Sequence, residues 1–250
     1  MAKVDLVFRQ IDERTRDVAL ALAQEHIRPE NTFILDDVRP FTECVNQMLQ
    51  IEHDCDYVVY VDADCLILED MRAFIDACDA PYVDAYVSDR FRGRLHCGVH
   101  ITRIDVVRAM AATKVPENDL KYVLRPESRL RNLAMKPMGS SKQFRNFDIL
   151  HDHFQSYHHV FMKYALRQLR SRTKIQAQRL TRAMRAWQSQ DGMMCDLTMA
   201  RHAVEFARKA VPASAAPKED HDFIEALPQH ATAEIARMGL QEKGAFTREE

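Results

Sequence analysis

The chain has 250 residues, 46% hydrophobic and 29% charged, with a formal net charge of −2 and only 6 Gly and 9 Pro. That composition suits a helix-rich soluble domain with its own core. It excludes a disordered chain and argues against an all-β one, which would need more turn residues. The longest apolar runs fall well short of a membrane span, and MAKVDLVFRQ enters a strand-like pattern with no apolar leader.

The six cysteines (Cys44, Cys55, Cys65, Cys78, Cys97, Cys195) form no C-x-x-C pair and mostly sit in apolar segments, which predicts reduced thiols and a cytoplasmic protein. Charge is unevenly spread. Residues 1–100 carry 20 acidic and 10 basic side chains, residues 101–210 carry 9 and 21, and the last forty carry 8 and 4. An acidic front followed by a basic middle points to an anionic partner, or to a solvated helix surface.

In chain order, Val4–Arg9 reads as a strand and Glu13–Glu25 as a helix. Thr32–Leu35 and Phe41–Ile51 repeat the pair. Tyr57–Val61 is a third strand, followed by a helix from Glu69 to Cys78. Tyr82–Ser88 and Val99–Thr102 supply two more strands, the latter leading into a helix at Ile104–Ala112. This alternation predicts βαβ units, hence an α/β fold with a mostly parallel central sheet covered by helices. Residues 113–147 are polar and interrupted by Pro116, Pro126 and Pro137, with 138–144 reading as a loop. A helical pattern then runs from Gln155 to Trp187, and another from Met193 to Ala210. The predicted organisation is a nucleotide-binding and catalytic α/β domain over 1–153, a basic helical extension over 154–210, and a linker with an acidic helical tail over 211–250.

The third strand ends in YVVYVDADCLILED, residues 57–70. In open α/β sheets ligands bind outside the carboxyl ends of the strands, and Asp62 and Asp64 stand at such an end. Two carboxylates facing one small volume resist joint ionisation unless a cation is present. An oxygen-rich pair that leaves coordination places open suits Mg²⁺ or Mn²⁺ shared with substrate phosphates. The alternative is that Asp62 opens a turn and Asp64 caps the next helix.

This stretch resembles the strand and D-x-D motif of nucleotide-sugar glycosyltransferases with the GT-A fold, glycogenin-like or family 2-like. HCGVHITRIDVVRAM at 96–110 resembles the small-residue turn, strand and helix that those enzymes place downstream, with His96, Cys97 and Gly98 in place of an asparagine-containing turn. The resemblance implies that Asp62 lies near ribose and metal, and that Asp64 binds the metal bridging a donor diphosphate. It places base and ribose by the loop after the first strand, where Arg9, Asp12 and Arg14 are available. Asp36 and Asp37, after the second strand, are candidates for the nucleobase or for a helix cap.

FDILHDHFQSYHH at 147–159 gathers four histidines and two aspartates. The resemblance implies a third metal ligand from such a C-terminal segment, either His151 or His153, with Asp152 or Asp148 orienting it or serving as an acid/base group. Downstream, Lys163, Arg167, Arg170 and Lys174 recur at steps of four, three and four, a single helical stripe that Arg182 and Arg185 extend. A basic amphipathic helix over 160–187 suits peripheral contact with an anionic membrane, or is simply a solvent face; no nucleic-acid module accompanies it.

The expected function is therefore metal-dependent transfer of a sugar from a nucleoside-diphosphate sugar to a polysaccharide, glycolipid or protein. Two alternatives stand: a haloacid-dehalogenase-like phosphohydrolase, which also ends a strand in D-x-D, and a non-catalytic α/β module that binds anionic partners.

Overall fold

The structure is a computed structural model that describes residues 1–116, 119, 121–122, 125–189, 195–212 and 217–247, the side chains of 96, 217 and 218 excepted. Two compact units make up the chain: Met1–Phe154 with Phe246–Glu250, and Gln155–Ala245.

The first unit is built on seven strands: β1 (Val4–Gln10), β2 (Asn31–Asp36), β3 (Tyr57–Asp62), β4 (Cys65–Ile67), β5 (Tyr82–Asp89), β6 (Gly93–Arg103) and β7 (Gln143–His151). They form one sheet in the order β2-β1-β3-β6-β5-β7-β4. Strands β1, β2, β3, β5 and β7 run one way, and β6 and β4 run against them. The expected mostly parallel α/β sheet is thus present.

Among the described residues, these helices accompany the sheet: α1 (Arg16–Ile27), α2 (Phe41–Gln50), α3 (Arg72–Asp76), α4 (Ile104–Ala112) and α5 (Pro126–Met135). Strand alternation sends Leu6, Phe8, Val59, Val61, Val83 and Ile101 into one core with Ala19, Ala23 and Ile27 of α1. The opposite faces send Val7, Val58, Tyr60 and Tyr82 into a second core with α2, α4 and α5.

Chain connectivity forbids a flat sheet. Four strand spacings separate β3 from β4, roughly 19 Å if laid flat. Asp62 ends β3 and Cys65 begins β4, so the backbone between them spans at most about 11 Å. The sheet must curl until its β4 edge returns to the tip of β3, which makes the D-x-D turn the clasp of the curl.

Some local expectations are corrected. The helix expected from Glu69 is only Arg72–Asp76, because Cys65–Ile67 pairs antiparallel with Ile149–His151 and is drawn into the sheet. The loop expected over 138–144 gives way at Gln143 to β7, which carries the histidine segment in as a strand beside β5.

The second unit is helical: α6 (Tyr157–Arg170), α7 (Lys174–Gln188), α8 (Cys195–Ala210), α9 (Pro217–Glu225) and α10 (Leu227–Arg237). The helix expected over Gln155–Trp187 is two helices. Thr173 starts the second with a capping box, its hydroxyl accepting from Gln176 N at 3.3 Å while Gln176 Oε1 accepts from Thr173 N at 3.4 Å. Lys174 therefore opens a new helix and does not continue the stripe of Lys163, Arg167 and Arg170. Val160, Phe161, Tyr164, Ala165 and Leu169 form the buried face of α6, and Leu227, Ala231 and Ile235 that of α10. Of the expected segments, residues 193–194 before α8 and 213–216 of the 211–220 linker lie outside the described residues.

Candidate functional site

Four parallel strands end in acidic or imidazole side chains on the same edge: β2 in Asp36, β3 in Asp62, β5 in Asp89 and β7 in His151, the last three around the D-x-D turn. Register aligns Asp89 with His151 across β5 and β7, and His151 with Cys65 across β7 and β4. The clasp then brings Asp64 over the same place. Its position is fixed by backbone and hydroxyl contacts: Thr15 Oγ1 donates to Ala63 O at 2.7 Å, Ala63 N to Arg9 O at 2.9 Å, and Asp152 N to Asp64 O at 3.2 Å.

His151 is the centre of the cluster. Its Nδ1 lies 2.8 Å from Asp89 Oδ2 and 3.3 Å from Asp152 Oδ2. This arrangement favours the ring proton on Nδ1 and turns Nε2 towards Asp64. Nε2 faces Asp64 Oδ2 at 3.6 Å, too far for a hydrogen bond. Burial alone would raise the Asp89 pKa, but the His151 hydrogen bond and the Arg92 guanidinium at 2.6 Å hold it well below the usual range.

Asp62 binds Arg9 Nε through Oδ1 at 2.8 Å. Burial raises its pKa; Arg9 opposes the rise and the neighbouring Asp64 adds to it. Gly98 closes the floor with φ +72°: a Cβ there would collide with Cys65 Sγ and stand 3.4 Å from His151 Cδ2 and 3.6 Å from Asp62 Oδ2. No L side chain fits both that backbone conformation and that space. Ligand atoms of Asp64, Cys65 and His151 lie within 4.8 Å of one another, as do those of Asp89, Cys97 and His151. Chemically, the set can hold a divalent cation with oxygen and nitrogen ligands, with the two thiols beside it.

A buried polar layer underlies the edge. Arg9, 4% exposed and packed between the Phe41 and Tyr60 rings, also binds Glu127 Oε2 at 2.6 Å. Glu127 stands 3.6 Å from His100 Nε2, and His100 Nδ1 is 2.7 Å from Asp84 Oδ1. Asp84 also accepts from Tyr82 OH at 2.6 Å and lies 3.9 Å from Arg131 and 3.5 Å from Lys142. Burial pushes Glu127 up, but Arg9, His100 and Arg131 outweigh it and bring its pKa down to about 2.

Of the residues singled out from sequence, Asp62, Asp64, His151 and Asp152 come together. His153 turns away, its Nε2 3.2 Å from Ser88 O, and burial lowers its pKa. Asp148 is exposed on the face of β7 opposite to His151; its N donates to Glu69 Oε2 at 2.9 Å. Asp12 and Asp37 are exposed and share Arg39, at 3.3 and 2.6 Å, and Asp36 is exposed at the end of β2. Arg14 donates to Phe154 O at 3.4 Å and stacks on Phe246. In the turn at 96–98 the His96 side chain lies outside the described residues. Sequence reasoning passed over Asp89, although the rule applied to Asp62, a carboxylate at the end of a parallel strand, holds for it equally. Nothing local marks Glu127 or His100.

No family model matches the sequence, and no curated protein matches it. Solved structures give fold-level likenesses. The catalytic domain of a Drosophila β1,4-galactosyltransferase 7 shares 14% identity, 58% of this chain and 65% of that one, at a TM-score of 0.41. A glycosyltransferase involved in glycosylation of the major capsid of PBCV-1 shares 12% identity, with 61% and 96% covered, at 0.40. A 4-diphosphocytidyl-2C-methyl-D-erythritol synthase from Anaerococcus prevotii shares 6% identity, with 58% and 89% covered, at 0.39. At these scores the likeness speaks to neither activity nor substrate.

Proposed function

We propose that this chain is a divalent-metal-dependent glycosyltransferase that takes its sugar from a nucleoside-diphosphate donor. The observation that carries the reading is the gap between Asp64 Oδ2 and His151 Nε2. Two ligands each about 2.1 Å from one ion stand roughly 3.0–3.4 Å apart, and these atoms are 3.6 Å apart with no hydrogen bond between them. Asp64 and His151 would hold Mn²⁺ or Mg²⁺, with Asp62, tied to Arg9 through Oδ1, beside them. When bound, the cation neutralises the departing diphosphate. Asp89 fixes the imidazole tautomer. Asp152, on the Nδ1 side of His151, acts through that ring, and Arg9 acts by holding Asp62. Asp12, after β1, Asp36, at the end of β2, and Asp37, just beyond it, would meet base and ribose, with Arg14 beside them.

The phosphohydrolase alternative needs the first Asp as a free nucleophile, whereas Asp62 is tied to Arg9. No helix among the described residues is long and apolar enough to cross a membrane. We assign the protein to the cytoplasm, with α7 as its contact to anionic lipid: Lys174, Arg179, Arg182 and Arg185 are exposed there, and Ile175 is 62% exposed.

Thermal unfolding across nucleoside diphosphates and their sugars, with and without Mn²⁺, tests the reading. A donor at about one hundred times its Kd adds roughly 2.7 kcal/mol, a rise of several degrees that needs Mn²⁺ and disappears in Asp64→Ala. No response to any nucleotide with metal present, or an unchanged response in Asp64→Ala, refutes it.

A further inference from the structure

At the opposite end of β1 lies a second cluster with no part in the site above. Asp5, 1% exposed, sits near the amino end of β1, paired with Asn31 of β2 on one side and Val58 of β3 on the other. His53 and Cys55 come from the segment between α2 and β3. The His53 ring is 1% exposed, with Nδ1 2.7 Å from Asp5 Oδ2, and Cys55 is 9% exposed. Four residues along β1 separate Asp5 from Arg9, roughly 13 Å, so this is a separate place from the carboxyl edge. Carboxylate, imidazole and thiol atoms lie within 4.8 Å of one another.

We propose that Asp5, His53 and Cys55 form a Zn²⁺ site. A mixed oxygen, nitrogen and sulfur set is borderline soft. It fits Zn²⁺ and is unlike the all-oxygen shells of Mg²⁺ and Ca²⁺. Charge agrees: the Asp5 carboxylate and the Cys55 thiolate together neutralise the ion, which matters where water is excluded. The frame is rigid. Asn31 Nδ2 donates to Asp5 Oδ1 at 3.0 Å and leaves Oδ2 for the ion, and the Phe33 ring meets His53 edge-on at 5.2 Å. The backbone beside Cys55 is tied down by Asp56 N and Tyr57 N, which both donate to Lys3 O.

On binding, the thiol proton of Cys55 leaves to solvent, the His53 proton resides on Nε2, and the Asp5–His53 pair opens by about half an ångström. The fourth position falls to water or a small ligand. His53 also lines a cavity of about 320 Å³ with Glu52 and Arg108. The competing explanation is a proton: an imidazolium paired with Asp5, with Cys55 as a bystander donor.

The test uses the full chain carrying Cys65→Ser, Cys97→Ser and His151→Ala, which takes both thiols and the shared imidazole out of the two ligand groups at the carboxyl edge. After chelation the protein is equilibrated with Zn²⁺, desalted and assayed for metal by mass spectrometry; a parallel sample takes Co²⁺. We expect one Zn²⁺ per chain and a thiolate-to-cobalt charge-transfer band. Adding Cys55→Ser abolishes the band and weakens Zn²⁺ binding at least about tenfold, as does His53→Ala. The cobalt spectrum needs no change in the three ligands, so it decides the matter even where a variant fails to fold. No retained Zn²⁺, a cobalt spectrum without the sulfur band, or equal retention in Cys55→Ser overturns the proposal in favour of the protonated pair. None of these outcomes bears on nucleotide binding.

Discussion

The carboxyl edge and the polar layer beneath α5 both bury carboxylates, and they resolve the cost in opposite ways. In the layer, Glu127 has Arg9 and His100, and Asp84 has His100, Arg131 and Lys142. At the edge, Asp62, Asp64, Asp89 and Asp152 gather about one imidazole; Asp62 has Arg9 and Asp89 has Arg92, while Asp64 faces His151 across 3.6 Å. Buried charge is tolerated where it is paired and hydrogen-bonded. In the layer the protein's own cations face the carboxylates, although Arg9 Nη2 and Arg131 Nε find no acceptor among the described residues, and under the proposed function the edge would balance its charge with a cation.

The largest effect that separates the two is expected at Arg9, which joins them. Arg9→Ala strands Glu127 in the layer and frees Asp62 at the edge. Removing one partner of a buried ion pair costs about 3–5 kcal/mol, readable as a fall in the urea midpoint of the metal-free protein. A loss below about 1 kcal/mol would place Arg9 among surface ion pairs and dissolve the distinction.

Acid should act first on the layer. Glu127 is held at about 2 against an ordinary 4.5. A depressed carboxylate contributes its full stability above the unfolded value and loses it as pH falls from 4.5 towards 2. The shift corresponds to about 3 kcal/mol at roughly 1.4 kcal/mol per unit. Denaturant titrations between about pH 5 and pH 2 should show this slope, and Glu127→Gln should remove its share, with Asp84 and Asp89, also held below the usual range, supplying the rest. An unchanged slope would assign acid sensitivity to other carboxylates.

The fold was legible where periodicity was local. Three βα repeats run from Val4 to Cys78, and their strand ends fixed where Asp62 and Asp64 would stand. What escaped depends on partners distant in sequence. β4 is a strand because it meets residues more than eighty positions later in β7, and the first half of β7 is exposed and so lacks an apolar signature. The choice between His151 and His153 is one of register: pairing Asp89 with His151 sends the residue two further on past the strand's end. Arg9 read as a loop-side ligand group because nothing in VDLVFRQ announces Glu127, 118 residues away. Cys55 read only as one of six reduced thiols and nothing in the sequence marked His53, since only the sheet brings Asp5 to them.

The smallest predicted effect is the most discriminating. Asp64→Asn keeps the shape of the clasp and removes one negative charge from a site crowded with them. If the edge is arranged for a cation, the metal-free variant should be as stable as the parent, or more stable by up to about 1 kcal/mol, because like-charge repulsion falls. The same variant should lose its Mn²⁺ response. Chemical denaturation with chelator, beside Mn²⁺ titration by calorimetry, measures both. A metal-free loss above about 2 kcal/mol would mean that Asp64 already pairs with a protonated His151 and that the edge balances its charge as the layer does. Unchanged stability with the metal response gone would separate the two regions by physics as well as by position: one spends its charges on folding, the other keeps them for a ligand.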